Sequence, residues 1–256
     1  MSRLTLLGVG CGIPDADRDF TSLVWHGSGA PLLIDAGGTP YTKLLKAGIE
    51  PVTLGGILLT HSHCDHVSGL APLLFSLYLA GRRDPKNPIP IYGLAPTLAR
   101  AKRIIEAFEL DNIAAPVVWT EIQPYDQIPP GTDNWKLTTA PTLHSRPCVA
   151  LRFEETATGR ALAYSCDTAP CPEVEALAQG AEVLIHEATT PGPFSSHTSP
   201  RQAGEVAVRA GVKRLVLVHY SPRWTMPEED ALSEIQAGGF TGFSEIGREL
   251  QTFSLS

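Results

Sequence analysis

Three histidines and one aspartate crowd into a single short segment, Thr60–His66, which reads Thr-His-Ser-His-Cys-Asp-His. The apolar run Gly-Ile-Leu-Leu precedes it and a helical pattern follows, so the segment is predicted to be a turn between a strand and a helix. His61 and His63, two residues apart, can point to one metal ion, and Asp65 and His66 to a second. Imidazole and carboxylate ligands suit zinc, with manganese or iron as substitutes. The segment therefore predicts a two-metal site at the carboxyl end of a strand.

Three further residues follow strand-like apolar runs and are expected to complete this site. His144 ends one such run, Asp167 follows another, and His219 follows Leu-Val-Leu-Val. Two cysteines, Cys64 and Cys166, stand beside proposed ligands and could coordinate metal themselves. The histidine and aspartate set already fills both positions without them.

Short apolar runs alternate with amphipathic stretches along the whole chain, without a linker or a repeat. Because each sheet must bury a face, this pattern predicts an α/β fold in which two packed sheets carry helices outside, or a doubly wound sheet, in one domain spanning residues 1–256. The predicted strands are Leu4–Gly8, Leu32–Asp35, Gly56–Thr60, Ile89–Tyr92, Val149–Phe153, Ala161–Ser165, Val183–Ile185 and Leu215–Val218. The predicted helices are Tyr41–Ala47, Val67–Leu79, Pro96–Phe108, Pro172–Gln179, Pro200–Ala210 and Pro227–Gln236.

Charge and cysteine content narrow the classes of function. The net charge of −7 argues against broad, sequence-independent nucleic-acid binding, which depends on lysine and arginine. No apolar run reaches the roughly 20 residues that a membrane span needs, and the N-terminus begins with a strand-like segment rather than a leader, so we expect a cytoplasmic protein without a membrane partner. Five cysteines, an odd number, fit a reducing compartment.

The Thr60–His66 segment matches the His-x-His-x-Asp-His motif, and on this motif the chain resembles the metallo-β-lactamase superfamily. The resemblance implies that superfamily's αββα four-layer sandwich. It also implies that His61, His63 and His144 hold one metal. Asp65, His66 and His219 would hold the other, with Asp167 bridging the two.

Five further segments resemble the ribonuclease Z family within that superfamily, and together they span residues 4 to about 224. They are the glycine-rich Gly8–Pro14 followed by Arg18, Ala163–Cys171 around Asp167, the motif His186–Thr189, His197–Ala203, and His219–Arg223. By this resemblance His197 would donate a proton to the leaving group, and Glu187 would orient its ring. A homodimer is also implied. His186 and His26 are interpreted as structural.

One feature departs from the ribonuclease Z pattern. In many members, a long arm that clamps transfer RNA is inserted in the sequence between the counterparts of His144 and Asp167. Here these two residues are only 23 positions apart. The interval is predicted to be a strand pair with Thr156–Gly159 as its turn. The interval has no room for the arm, which makes transfer-RNA cutting less favoured for this chain.

The leading functional hypothesis is a hydrolase with two zinc ions that cleaves phosphodiesters, in a small molecule or in RNA, with a metal-bound hydroxide that Asp65 orients. One alternative is a transfer-RNA 3′-processing endoribonuclease. Another is an arylsulfatase or a lactonase on the same scaffold. A binding module that kept the fold without activity is a fourth hypothesis, and the complete set of candidate ligands argues against it.

Overall fold

The computed structural model describes residues 2–27, 29–110, 112–128 and 134–254, and in these residues two seven-stranded sheets are present. In spatial order the first sheet consists of β14 (Thr252–Ser254), β1 (Arg3–Gly8), β2 (Ser22–His26), β3 (Leu32–Ile34), β4 (Gly56–Leu59), β5 (Ile89–Gly93) and β6 (Val117–Glu121). The second consists of β13 (Phe243–Ile246), β12 (Arg214–Val218), β11 (Val183–Glu187), β10 (Ala161–Tyr164), β9 (Val149–Glu155), β8 (Trp135–Pro141) and β7 (Gln127–Ile128).

Both sheets change from antiparallel to parallel pairing at an internal strand. In the first sheet β14 to β3 pair antiparallel and β3 to β6 pair parallel. In the second sheet β7 to β10 pair antiparallel and β10 to β13 pair parallel. Parallel strands end at the same edge of a sheet, so the residues that follow β3, β4, β10, β11 and β12 are brought close together.

Helices cover the outer faces of the two sheets. They are α1 (Pro40–Lys46), α2 (Cys64–Val67), α3 (Leu70–Leu79), α4 (Ala95–Ala107), α5 (Pro172–Ala178), α6 (Pro200–Ala210) and α7 (Glu228–Ala237), with a short 3₁₀ helix at Pro51–Thr53. Within the described ranges, no helix is long and apolar enough to span a membrane.

Side-chain alternation along the strands explains the layers. In β3, Leu32 and Ile34 face the core between the sheets, and Leu33 packs under the helices on the outer face. The core between the sheets takes residues from both, including Trp25 stacked on Phe153 with ring centroids 4.6 Å apart. Because both faces are buried, such strands read as continuous apolar runs. The predicted αββα four-layer sandwich is confirmed.

The predicted helix Val67–Leu79 is wrong in its bounds, because the structure divides the segment into α2 and α3. Gly69 separates them, and its amide donates a hydrogen bond of 2.7 Å to the carbonyl of Ala36. A Cβ atom at Gly69 would lie 2.5 Å from the carbonyl oxygen of Gly38, so only glycine permits this close approach. α2 begins at Cys64, which places Asp65 and His66 in a helical turn.

The strand prediction also missed several strands, namely β2, β6, β7, β13 and β14, whereas β8 matches the strand-like run that was predicted before His144. β6 and β13 are only partly buried, and β7 has only two residues, so none of these three has a strong apolar pattern. His26, interpreted as structural, ends β2, and its Nδ1 lies 3.2 Å from the guanidinium of Arg3.

Candidate metal centre

All seven predicted ligands lie at the ends of strands, where the two sheets meet. The segment after β4 carries four of them, and the others follow β8, β10 and β12. The structure gathers them into two groups that share one carboxylate. We call His61, His63 and His144 the first set, and Asp65, His66 and His219 the second set.

The first set places three imidazole nitrogens around one point. The Nδ1 of His63 lies 3.0 Å from the Nε2 of His61 and 3.0 Å from the Nε2 of His144. The Oδ2 of Asp167 lies 3.6 Å and 3.8 Å from the same two Nε2 atoms. Burial, followed by repulsion from neighbouring histidines, lowers the pKa of His61 and His63. Neutral imidazoles are the form that binds metal.

The second set combines two imidazoles with a carboxylate. The Oδ2 of Asp65 lies 3.6 Å from the Nε2 of His66 and 3.2 Å from the Nε2 of His219. The other oxygen of Asp167, Oδ1, lies 3.5 Å and 3.6 Å from these nitrogens. Each oxygen of Asp167 therefore faces a different set.

The electrostatics of the second set favour a positive charge at its centre. Burial alone would lower the pKa of His66, but the carboxylates of Asp167 and Asp35 outweigh it and raise this pKa to about 10. Although burial opposes it, His219 and His66 hold the pKa of Asp167 below its usual range. A proton or a metal cation can supply the positive charge that these carboxylates require.

Two buried polar atoms without hydrogen-bond partners indicate that the centre suits a metal ion. The Nε2 of His66 and the Oδ1 of Asp167 are buried without a hydrogen-bond partner, although they lie only 3.5 Å apart. Leaving such groups unpaired costs about 1–3 kcal/mol each. A cation bound between them would remove this cost, so the residues present fit a metal.

Oxygen atoms that contact the Nδ1 of three histidines orient the Nε2 of each ring toward the centre. The Nδ1 of His66 lies 2.7 Å from the Oδ2 of the buried Asp35, and the Nδ1 of His144 lies 2.9 Å from the carbonyl of Ser196. In the second set, the Nδ1 of His219 lies 2.7 Å from the hydroxyl of Thr189. When each Nδ1–H donates to these oxygens, each Nε2 lone pair faces the centre, as metal binding requires.

Asp35 is a residue of the candidate site that sequence reasoning missed. Besides His66, its carboxylate accepts bonds of 2.8 Å from both the amide and the hydroxyl of Thr60. That hydroxyl is 3.2 Å from the Nδ1 of His61, so Asp35 contacts both sets directly or through one residue. An acidic residue directly after an apolar run and before two glycines was the available signal.

Three non-glycine residues at this edge of the sheets have strained backbone conformations. Asp35, Cys166 and His219 have φ values of 60°, 51° and 50°, in the left-handed region that favours glycine. Each ends or nearly ends a strand next to the candidate ligands. Strain of this kind costs about 1–3 kcal/mol per residue and persists where the surroundings enforce it.

His197 and Glu187, the predicted proton donor and its partner, are in contact. The Nδ1 of His197 is 2.9 Å from the Oε1 of Glu187, which is fully buried and also accepts from the amide of Thr168. Burial lowers the pKa of His197, but the hydrogen bond to Glu187 overcomes it and raises the pKa. The ring lies 5.0 Å from that of His144 and 5.8 Å from that of His219, centroid to centroid.

A capping box fixes the loop that carries His197. The hydroxyl of Ser199 accepts from the amide of Gln202, whose side chain accepts in turn from the amide of Ser199, and Pro200 opens α6. The hydroxyl of Thr198 also donates to the carbonyl of Thr168, at 2.6 Å. These bonds fix the backbone on the C-terminal side of His197, and the contact with Glu187 orients its ring.

The remaining candidates lie outside the centre. The Nδ1 of His186 is 2.7 Å from the carbonyl of Glu187, in keeping with the structural interpretation. Cys64 is exposed. Cys166 approaches the Nδ1 of His61, at 3.9 Å, and the sulfur of Cys148, at 3.4 Å, so it lies behind the His61 ring.

A cavity of about 440 Å³ opens onto the centre. It is lined by residues of the candidate site and by the loops around it: Cys11, Gly12, Ile13, His63, Cys64, Asp65, Asp167, Thr189, His197, His219 and Trp224.

The fold and this centre are those of a metal-dependent hydrolase. The family described as the beta-lactamase superfamily domain matches residues 32–220, and the chain belongs to the metallo-β-lactamase superfamily. Ribonuclease Z of Mycobacterium bovis is 30% identical, over 98% of this chain and 97% of that protein. Ribonuclease Z of Mycobacterium marinum is 28% identical, with the same two coverages. The predicted ribonuclease Z-like family and the hydrolytic class are thereby confirmed.

Solved structures agree on the fold. The metallo-beta-lactamase fold protein YhfI of Bacillus subtilis superposes with a TM-score of 0.79 at 21% identity, covering 98% of each chain. The short form of human tRNase Z superposes with a TM-score of 0.77 at 23% identity, covering 99% of each chain.

Proposed function

We propose that the chain is a phosphodiesterase that works with two zinc ions, one in each ligand set. The observation that carries this proposal is Asp167, whose two oxygens face the two sets at 3.5–3.8 Å from their nitrogens. A carboxylate in this position suits a pair of metals better than a single one. The imidazole-rich donor set suits zinc, and manganese or iron would also fit it.

The chain's own groups have separate tasks. Bound metal ions would polarise a phosphoryl group and make a water molecule more acidic. Asp65, partly exposed at the cavity, can orient that water and accept its proton. His197, whose pKa the hydrogen bond to Glu187 raises, can donate a proton to the departing alkoxide. A proton donor of this kind matters most for poor leaving groups, which favours phosphodiesters over lactones.

Small phosphodiesters fit the observed surface better than transfer RNA does. The whole interval from His144 to Asp167 is described, and the β9–β10 hairpin fills it with no room for an arm. The chain's net charge of −7 also opposes a polyanionic partner. Cleavage of RNA is the second candidate, and the similarity to two proteins named ribonuclease Z favours it.

A side-by-side assay tests the two candidates. The zinc-loaded chain would be given bis(4-nitrophenyl) phosphate and a precursor transfer RNA in parallel. We expect turnover of the small ester, and loss of that turnover in Asp65→Ala. Efficient cutting of the RNA at its 3′ side would favour the second candidate. Fewer than about one metal per purified chain, or full activity in Asp65→Ala, would contradict the proposed site.

A leaving-group comparison tests the proton donor. His197→Ala should lower kcat for an alkyl phosphodiester by about 10²–10⁴-fold, the usual contribution of general acid catalysis. The loss on a nitrophenyl ester should be much smaller, because nitrophenolate leaves without a proton. Equal losses on both esters would remove the assigned role of His197.

A further inference from the structure

Large apolar side chains stand exposed around the mouth of the candidate centre. Ile13 is 49% exposed and Trp224 is 46% exposed, and both line the cavity that contains Asp65 and His219. Phe194, 57% exposed, stacks beside the ring of His197 at a centroid distance of 6.2 Å. Exposed apolar groups gathered at one opening indicate a binding surface.

The segment that carries Trp224 is fixed in place. The amide of Trp224 donates to the carbonyl of Ser221, at 3.1 Å. The hydroxyl of Thr225 shares its proton between the carbonyls of Thr189 and Ala188, at 2.9 Å and 3.2 Å. The hydroxyl of Thr189 also contacts the Nδ1 of His219. The segment that carries the indole and the second ligand set are therefore both hydrogen-bonded to Thr189. A surface fixed in advance loses little entropy when it binds a ligand.

The loop that carries Ile13 is anchored as well. The thiol of Cys11 lies 3.6 Å from the carbonyl of Ile13, and Arg18 pairs with Asp15 at 3.2 Å and with Glu228 at 2.6 Å. These contacts hold the glycine-rich loop against α7 and keep Ile13 at the cavity.

Positive charge accompanies the exposed indole. The guanidinium of Arg223 lies over the Trp224 ring, 5.4 Å from its centroid. A planar ring can stack on an indole, and an arginine beside it favours an anionic ligand. The combination suits a molecule that carries both an aromatic ring and a phosphate.

We propose that Trp224, with Ile13 beside it, binds a planar aromatic group attached to the substrate's phosphate and thereby sets specificity. This inference rests on the proposed phosphodiesterase function and names the substrate class, namely esters that carry an aryl or nucleoside group rather than alkyl groups alone. The phosphate lies toward the two ligand sets and the ring toward Trp224. The cavity of about 440 Å³ is at the small end of ligand sites, which span roughly 300–1,000 Å³, and has room for one such group.

Calorimetry on the zinc-loaded chain tests ring recognition without turnover. Two pairs of ligands differ only in the ring: phenyl phosphate against methyl phosphate, and adenosine 5′-monophosphate against ribose 5-phosphate. We expect the member with the ring to bind about 5-fold to 100-fold more tightly, the range for stacking on one aromatic side chain. Trp224→Ala should remove this preference and leave the Kd of the ring-free member unchanged. Trp224→Phe should keep most of the preference.

The matched control is Phe243→Ala, which removes an aromatic side chain of similar exposure (60%) on β13. It should leave both affinities as they are. A preference in the phenyl pair alone supports the proposal with a simple aryl ester as substrate, and a preference in both pairs supports it with nucleosides included. Equal affinities in both pairs, or a preference that survives in Trp224→Ala, would overturn it. Hydrolysis of bis(4-nitrophenyl) phosphate by the same preparation tests the proposed function separately.

Discussion

The two ligand sets share Asp167 but differ in the groups that contact the outer nitrogens of their histidine rings, those that face away from the centre. In the second set, a buried carboxylate, Asp35, lies 2.7 Å behind His66, and Thr189 lies 2.7 Å behind His219. In the first set the groups behind the rings are uncharged. In the same set, His63 is partly exposed, and among the described residues the hydroxyl of Ser145 contacts its outer nitrogen, Nε2, at 3.5 Å.

The difference also extends to charge within the sets. The first set offers three imidazoles, and the second replaces one imidazole with the carboxylate of Asp65. A divalent cation gains more from the set with more negative charge and with a carboxylate behind its histidine. We therefore expect the second set to hold its metal more tightly and the first set to exchange its metal more readily.

The largest expected effect comes from removing what the two sets share. Asp167→Asn should release metal from both sets and lower kcat/KM for a small phosphodiester by on the order of 10³-fold or more, because charge stabilisation fails on both sides. Metal analysis and kinetics on the same sample would measure this. Asp84→Asn is the control, because this exposed carboxylate accepts a hydrogen bond from the amide of Lys86 in its own loop, away from the candidate centre. Retention of two metals in Asp167→Asn would show that the sets do not depend on a shared carboxylate.

The next effect separates the sets. Asp35→Asn should weaken zinc binding by about 10–100-fold, the usual cost of losing the partner behind a ligating histidine. Asparagine suits the test because it tolerates the φ of 60° at this position. Ser145→Ala, the corresponding change behind His63, should cost less than about 3-fold, since 3.5 Å is at the limit of a hydrogen bond. Competition with a chromophoric chelator measures both, and equal costs would contradict the comparison.

A smaller effect is expected in the unmodified chain. Stepwise addition of a chelator should remove the two metals in succession, with a plateau near one metal per chain, if their affinities differ by about 10-fold or more, or roughly 1.4 kcal/mol. Asp35→Asn should merge the two steps, because it weakens metal binding by the second set, which is expected to release its metal last. A single step in the unmodified chain would mean that the two sets bind alike.

The smallest effect concerns the contact between α7 and the glycine-rich loop that carries Ile13. Glu228 binds Arg18 and Arg248, and the hydrogen bond from Arg248 holds its pKa below the ordinary 4.5. A lowered carboxyl pKa contributes stability above pH 4.5 that is lost as the pH falls through the folded value. Glu228→Gln should therefore lower the free energy of unfolding near pH 7, by less than about 1 kcal/mol for a side chain that is 30% exposed. The gap to the unmodified chain should close below pH 4.5 in denaturant titrations, and a constant gap would exclude this origin.

The sequence predicts much of the site because its ligands are marked locally. Four of them occupy one segment, and His144, Asp167 and His219 each follow a strand-like run that the structure bears out as a strand or its end. Strand ends that share a sheet edge converge, so their order along the chain was enough to bring these residues together. Their roles as metal ligands stay predictions.

What the sequence does not reveal depends on contacts between distant segments. Asp35 is an isolated carboxylate, and its importance appears only when β3 and β4 pair in parallel and bring it next to Thr60 and His66. The exposed aromatic side chain of Trp224 was missed for the same reason. A single tryptophan outside any sequence motif does not indicate that it will lie at the mouth of the site. The break between α2 and α3 was missed because the packing of Gly69 against Ala36, not local propensity, decides where the helices divide.

The tight β9–β10 hairpin has a consequence for how this scaffold can change over evolutionary time. Its turn lies at the exposed end of two strands whose other ends carry the buried site. Closing a loop there of about 50 residues instead of about four would cost only about 2 kcal/mol, because loop entropy grows with the logarithm of length. A lineage can therefore gain or lose a large recognition element at this position in one insertion or deletion, while the chemistry of the core is inherited unchanged.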